Sequence, residues 1–391
     1  MVVHAYYEED PRVRREAESV AASGREVDVF ALRREGDGPD GELAGVRLHR
    51  LDVQRHQGAG IGTYALEYAE FIARATWALA RAHRRRRYAL VQVHTIPDAL
   101  VLAAVPLRLA GVPVVIDLHE AMPEFFRVRF PGASNPLVHG VLLAQERLSI
   151  AAANAAITVN DALARRLVEG GVPAGKVHVV INAPVLALFD ASVHPARPFM
   201  ADWTLRLVYA GALSPVYEVD VALEAVARIR RSRPGLPVAL DLYGRDFDEV
   251  PLRDRAEALG VADRVTFHGR IPIEDVPAAI AAADIGLAPT RRTEFTDFSL
   301  STKIFEYAAM GKPVVASRLP MVEATFPPGT VATYAPGDAG DLAASILRLV
   351  DDPATRDDGV ARTLEIVEAL AWERASVPYL ELLESLARDR A

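Results

Sequence analysis

Thr302, Lys303 and Glu306 lie within about one helical turn in the stretch 299–315, SLSTKIFEYAAMGKPVV. The chain holds three lysines, Lys176, Lys303 and Lys312, and two of them belong to this stretch; the remaining Lys/Arg positions are all arginine. An ammonium is a compact point charge where a guanidinium is a planar fork, so its use in an arginine-rich chain is informative. Hydroxyls at Ser299, Ser301 and Thr302 precede an apolar run of helical spacing, and Gly311 with Pro313 ends it. That pattern predicts a short helix capped by these hydroxyls. Free N–H groups at its start form an anion site. A lysine in the first turn opposes the helix dipole unless an anion is present. Glu306, three residues on, shares the face of Lys303. One chemistry for this set is a phosphate held by amides, hydroxyls and Lys303, with Glu306 accepting from ribose hydroxyls. The other is a capped helix with a surface Lys–Glu pair worth roughly 0.2–0.5 kcal/mol.

A second constellation, VVIDLHEAMPEFF at 114–126, places Asp117, His119 and Glu120 at the end of an apolar run. A histidine there can donate to a substrate oxygen or titrate near neutrality; a core histidine with its partners satisfied is the alternative. Arg12, Arg14 and Arg15 open the first helix, either as a solvated face or as contacts to an acceptor or phosphate. The stretch TYALEYAEFIARATWALARAHRRRRY combines Phe71, Trp77 and Leu79 with Arg74, Arg81 and Arg84–Arg87. Such a basic amphipathic helix either faces the core with a charged end or lies on an anionic membrane. The preceding QGAGIG is glycine-rich but lacks the strand and spacing of a dinucleotide fingerprint. Asp246 and Asp248 in YGRDFDE look like a metal-binding pair, yet two carboxylates without a third ligand make no site. No metal is expected. Arg245, just after the run PVALDLYG, is the better candidate there, for a diphosphate.

These residues need a frame, and the apolar pattern supplies one. Short strand-like runs alternate with amphipathic helices, among them a long one from Thr63 to about His83 and another near Val138 to Ala153. This alternation predicts α/β architecture, with parallel sheets covered by helices on both faces. It lapses through APVLALFDASVHPARPFMADW and then restarts. The expected domains are 1–185, a linker at 186–204, a second doubly wound domain at 205–362, and a helical segment at 363–391 packing back on the first domain. Two such domains would face each other across a cleft, with ligands outside the carboxyl ends of the strands.

Length and composition agree. A chain of 391 residues is too long for one ordinary core. A formal net charge of -8 argues against nucleic acid as a partner, and the absence of cysteine excludes disulfides and thiolate chemistry. No apolar run reaches the ~20 residues of a membrane span, so a cytoplasmic protein is expected.

Taken together, the motifs resemble those of the family 4 glycosyltransferases, retaining enzymes with the two-Rossmann GT-B architecture. DPRVRREAESVAASGREVDV, VHTIPD, the D-x-H-[DE]-x-x-P-E segment of VVIDLHEAMPEFF, YAGALSPVYEVDVALEAV and SLSTKIFEYAAMGKPVVAS carry the resemblance. It implies a nucleotide-diphospho-sugar donor, UDP by expectation, with no metal or other cofactor. It implies that Glu306 binds the donor ribose. Gly211, Ser301, Thr302 and Lys303 would hold the diphosphate with Arg245, and Arg270 would lie beside the base. His119 would stand near the sugar and the reacting centre. The chain departs from the pattern where the motif's first glutamate would fall at Phe298, with Asp297 beside it. The usual basic pair falls at Ala212 and Tyr217, so Lys303 and Arg245 are expected to supply the missing charge. The acceptor is a saccharide, lipid-linked or natural-product hydroxyl. Peripheral contact with the inner membrane face through Arg81–Arg87 is a further expectation. A catalytically degenerate binding or scaffold protein, or a GT-B sugar-nucleotide epimerase, would share the fold.

Overall fold

A computed structural model describes residues 1–56, 60–194, 197–244 and 249–388. The chain forms two compact units, one of residues 1–182 and 375–391, the other of residues 183–374. The periodicity lapse thus joins the second unit from its beginning, and Phe189 is buried in that unit's core. The terminal segment divides: the helix Pro353–Leu370 stays with the second unit, whereas most of the helix Trp372–Arg388 belongs to the first.

The first unit holds one sheet. Its strands are β1 (Val2–Val3), β2 (Val27–Leu32), β3 (Asp40–Leu43), β4 (Val46–Leu51), β5 (Val91–His94), β6 (Val114–Leu118), β7 (Ala155–Thr158) and β8 (Val177–Val179), in the order β3-β4-β2-β1-β5-β6-β7-β8. All neighbours are parallel except β3, an antiparallel edge strand on β4 that the sequence pattern did not announce. Strands β5 and β6 are buried at every position, as strands covered on both faces must be. Helix Pro11–Ala22 begins where Asp10 accepts from the N–H groups of Arg12 and Val13, with Pro11 in its first turn. Helix Ile61–Arg86 turns Phe71, Ala75 and Leu79 inward at helical spacing. The expected grouping of Phe71, Trp77 and Leu79 separates here, because Trp77 faces outward.

The second unit holds β9 (Leu205–Ala210), β10 (Val238–Tyr243), β11 (Val265–Gly269), β12 (Ile285–Ala288), β13 (Val314–Ser317) and β14 (Ala332–Tyr334), all parallel in the order β11-β10-β9-β12-β13-β14. Alternation along β9 serves two cores: Leu207 and Tyr209 pack with helix Val219–Ser232, and Val208 packs with helix Thr302–Ala309 on the opposite face. In each sheet the strand order reverses beside the first strand, between β1 and β5 and between β9 and β12. Those switch points are where open α/β sheets bind ligands.

Candidate active site

In the first unit the end of β6 carries Asp117, and in the neighbouring strand His94 is its register partner. Asp117 is fully buried and Arg12 embraces it: Nε donates to Oδ2 at 3.0 Å and Nη2 to Oδ1 at 2.6 Å. Arg12 also lies 3.2 Å from Glu16 and donates to the Val180 carbonyl at 3.3 Å. The reading of Arg12 as an acceptor or phosphate contact is therefore corrected, since its fork is consumed inside the unit. Arg14 pairs with Glu18, and Arg15 donates to Asn182. His94 Nδ1 and His119 Nε2 both reach Asp117 Oδ2, at 3.0 and 3.1 Å. Behind them, Tyr379 donates to Gln92 at 2.8 Å, and Gln92 donates to Glu16 at 2.6 Å.

The electrostatics follow from this packing. Burial disfavours the Asp117 anion, but Arg12 and the two histidines outweigh it and hold the carboxyl well below its ordinary value. Burial likewise opposes charge on His119, yet the Asp117 charge and hydrogen bond raise its pKa overall. Burial raises Glu16, with the Asp117 charge adding to the effect. Because Nε2 of His119 is spent on Asp117, Nδ1 is the atom left for another partner, and this side chain keeps 16 % exposure. His94, Asp117 and His119 could together offer three ligand atoms within 4.8 Å to a metal. Arg12 already answers both oxygens of Asp117, so the donor set fits a hydrogen-bonded network better than a cation site. Glu120 is raised by burial. Glu124 accepts both ends of the Arg166 fork at 2.9 and 2.8 Å, so the P-E of the motif is structural. In the adjacent MPEFF segment Phe126 is buried, 5.1 Å from the Phe130 ring, rather than displayed to a ligand.

In the second unit the loop after β9 opens with Gly211. Its backbone runs so close to Lys303 that a Cβ would overlap that side chain, and a Cβ at Gly244 would overlap the Gly211 carbonyl. Helix Thr302–Ala309 is fixed under β9 by Tyr307, whose hydroxyl accepts the Ala210 N–H at 3.0 Å. Gly286 lacks the side chain that would collide with the Tyr307 ring. Lys303 is buried at 8 % exposure, its ammonium 4.1 Å from the Tyr217 ring centroid and 5.2 Å from that of Tyr209. This removes the surface Lys–Glu pair as an account of the stretch. Among the described residues no hydrogen bond or ion pair answers this ammonium within the unit. Tyr217, where the resemblance led one to expect a cation, instead supports one by cation–π attraction. The expected hydroxyl cap is corrected: Ser301 is the N-cap residue, and its side chain makes no capping bond. Asp297 is 3.1 Å from Arg292, and Arg270 is exposed at the end of β11. Arg245 and the Asp246–Asp248 pair lie outside the described residues. Lys312 has a structural task, donating to the carbonyls of Ala281 and Ala283 at 2.8 and 2.7 Å.

Sequence reasoning passed over His94, Gln92 and the supporting role of Arg12. The available signal was that VQVH and VVID end their apolar runs on polar groups, as neighbouring strands do when they frame one site.

Two doubly wound parallel sheets with polar groups gathered at their carboxyl ends define the GT-B class. Residues 10–183 match the family described as glycosyl transferase 4-like domain, and residues 204–352 match glycosyl transferases group 1. Each unit thus matches a different glycosyltransferase model, and the chain is a glycosyltransferase. It is 24% identical over 294 residues to the alpha-D-kanosaminyltransferase of Streptomyces kanamyceticus, covering 72% of this chain and 73% of that one. The sucrose-phosphate synthase of Thermosynechococcus elongatus shares its fold with a TM-score of 0.79 at 21% identity, over 98% of both chains. The Anabaena protein HepE, solved with UDP-glucose, superposes with a TM-score of 0.70 at 17% identity, again over 98% of both. The degenerate-scaffold and epimerase alternatives draw no support from these similarities.

Proposed function

We propose that this glycosyltransferase moves a sugar from UDP to an acceptor hydroxyl with retention at the anomeric carbon and without a metal. The observation that carries the reading is Lys303, a buried lysine beside Gly211 at the start of a helix. A buried cation is costly unless an anion joins it. A diphosphate supplies that anion and accepts from the free N–H groups at the helix start. The UDP-glucose bound by HepE supports a uridine donor. In the reaction the bond between C1 and the β-phosphate oxygen breaks, its electron pair leaving with the phosphate. The acceptor oxygen bonds C1 on the same face, and its proton passes to the departing phosphate. Lys303 and the helix amides stabilise the charge that develops. His119 donates from Nδ1 to a sugar oxygen, and Glu306 accepts from the ribose. Glu306, Gly211, Thr302 and Ser301 are thus donor-binding, and Arg270 lies near the base. Asp297, 3.1 Å from Arg292, is assigned to donor binding as well.

Titration calorimetry with UDP tests this reading. Lys303→Met should weaken UDP binding by about tenfold to a hundredfold, the size of one lost charge-assisted contact, with melting unchanged. Unaltered affinity would remove Lys303 from the site, and absence of any UDP binding by the native chain would remove the nucleotide.

A further inference from the structure

Most of the large apolar side chains that the described residues leave exposed gather on three contiguous elements of the first unit. These are helix Ile61–Arg86, residues 98–109 and helix Pro136–Ala152, the middle one packing against both of the others. Helix Pro136–Ala152 turns Leu137, Val141 and Leu148 outward at successive spacings of about one and two turns, at 77%, 58% and 70% exposure. Leu102 and Leu109 are exposed beside it, and Leu66 and Trp77 on the long helix.

Charge on these elements is as one-sided as the apolar surface. Glu67 is buried against His4 at 3.1 Å, Asp98 is buried, and Glu146 is taken by Arg166 at 2.6 Å. The exposed acid among the described residues here is Glu70, paired with Arg74 at 2.7 Å. The arginines point the other way. Arg84, Arg85 and Arg147 are exposed, and Arg81 stacks over the exposed Trp77 ring at 5.3 Å. A chain with a net charge of -8 thus has a face that is apolar and cationic.

We propose that this face docks on an anionic lipid surface. Indole and leucine side chains enter the headgroup boundary, and arginines bind lipid phosphates, the division of labour of interfacial helices. A second copy of the chain fits poorly, because a twofold contact would set arginine against arginine. The inference is independent of the transfer reading.

Cosedimentation of the full chain with vesicles tests it. Binding to phosphatidylcholine vesicles containing phosphatidylglycerol is expected at low salt, with little binding to phosphatidylcholine alone. Arg84→Glu with Arg85→Glu should weaken it by at least about tenfold, on the scale of the surface attraction per basic residue. Leu148→Asp should weaken it too, and both variants should keep the native melting temperature. No binding to either vesicle, equal binding to both, or a Leu148-dependent dimer in light scattering that displaces vesicle binding would overturn the proposal.

Discussion

A fully buried carboxylate stays ionised only when neighbouring charges and donors compensate for lost water, and Asp117 is compensated by a guanidinium and two imidazoles. His119 benefits in return: burial works against its charged form, but Asp117 raises its pKa above the ordinary 6.5. The folded protein therefore holds this proton more tightly than the unfolded chain does. The extra stability is complete below about pH 6.5 and fades as pH rises through the folded pKa. Comparing native protein with His119→Gln by urea unfolding from pH 5 to 9 should show a stability difference that shrinks with rising pH; a flat difference would mean that Asp117 does not hold a proton on His119. The two lysines of the stretch 299–315 are both buried but sit in different surroundings. Lys312 is lowered to about 8, chiefly by burial, and its ammonium is answered by two carbonyls. Lys303, 8% exposed against 4% for Lys312, lies against the Tyr217 and Tyr209 rings. Sequence inspection found Lys303 but treated Tyr217 as a loss, because a ring–ammonium contact between loop and helix has no signature in spacing.

At the scale of elements, most helices and strands follow from periodicity, and the misplaced parts were those with little of it. Strand β3 is a four-residue edge segment after Gly38 and Pro39, too short and polar to show an alternation. Helix Met122–Arg129 is short and marginal by itself. Arg166 pins it to helices Asp161–Glu169 and Pro136–Ala152 through Glu124 and Glu146. That clamp lies immediately after His119 and Glu120, so it sets the exit of the β6 loop. Glu124→Ala removes a bidentate, charge-assisted pair and should destabilise the first unit by about 2 kcal/mol, read as a lower denaturant midpoint with unchanged slope. A shift no larger than that of an exposed pair, within about 0.5 kcal/mol, would show that the helix is held by its apolar contacts instead.

For the whole molecule, two doubly wound units were legible because the alternation stops once and restarts. The Arg12–Asp117 pair was not, because 105 residues separate the partners and only sheet order brings them together. The chain's final crossing was foreseen in outline from an amphipathic end, while its anchor was not: Tyr379 is fully buried and hydrogen-bonded to Gln92, within the network that leads to Asp117. The first unit is thus closed by residues synthesised last, after the whole second unit. Tyr379→Phe keeps the ring and leaves the Gln92 oxygen without its donor, a loss of about 1–3 kcal/mol. For a unit of this size each kcal/mol lowers the melting temperature by about 2–4 °C, so calorimetry should resolve the change. UDP affinity, assigned to the second unit, should stay at the native value. If Tyr379→Phe weakened UDP binding while melting held, the terminal helix would be serving the donor site rather than completing the first unit.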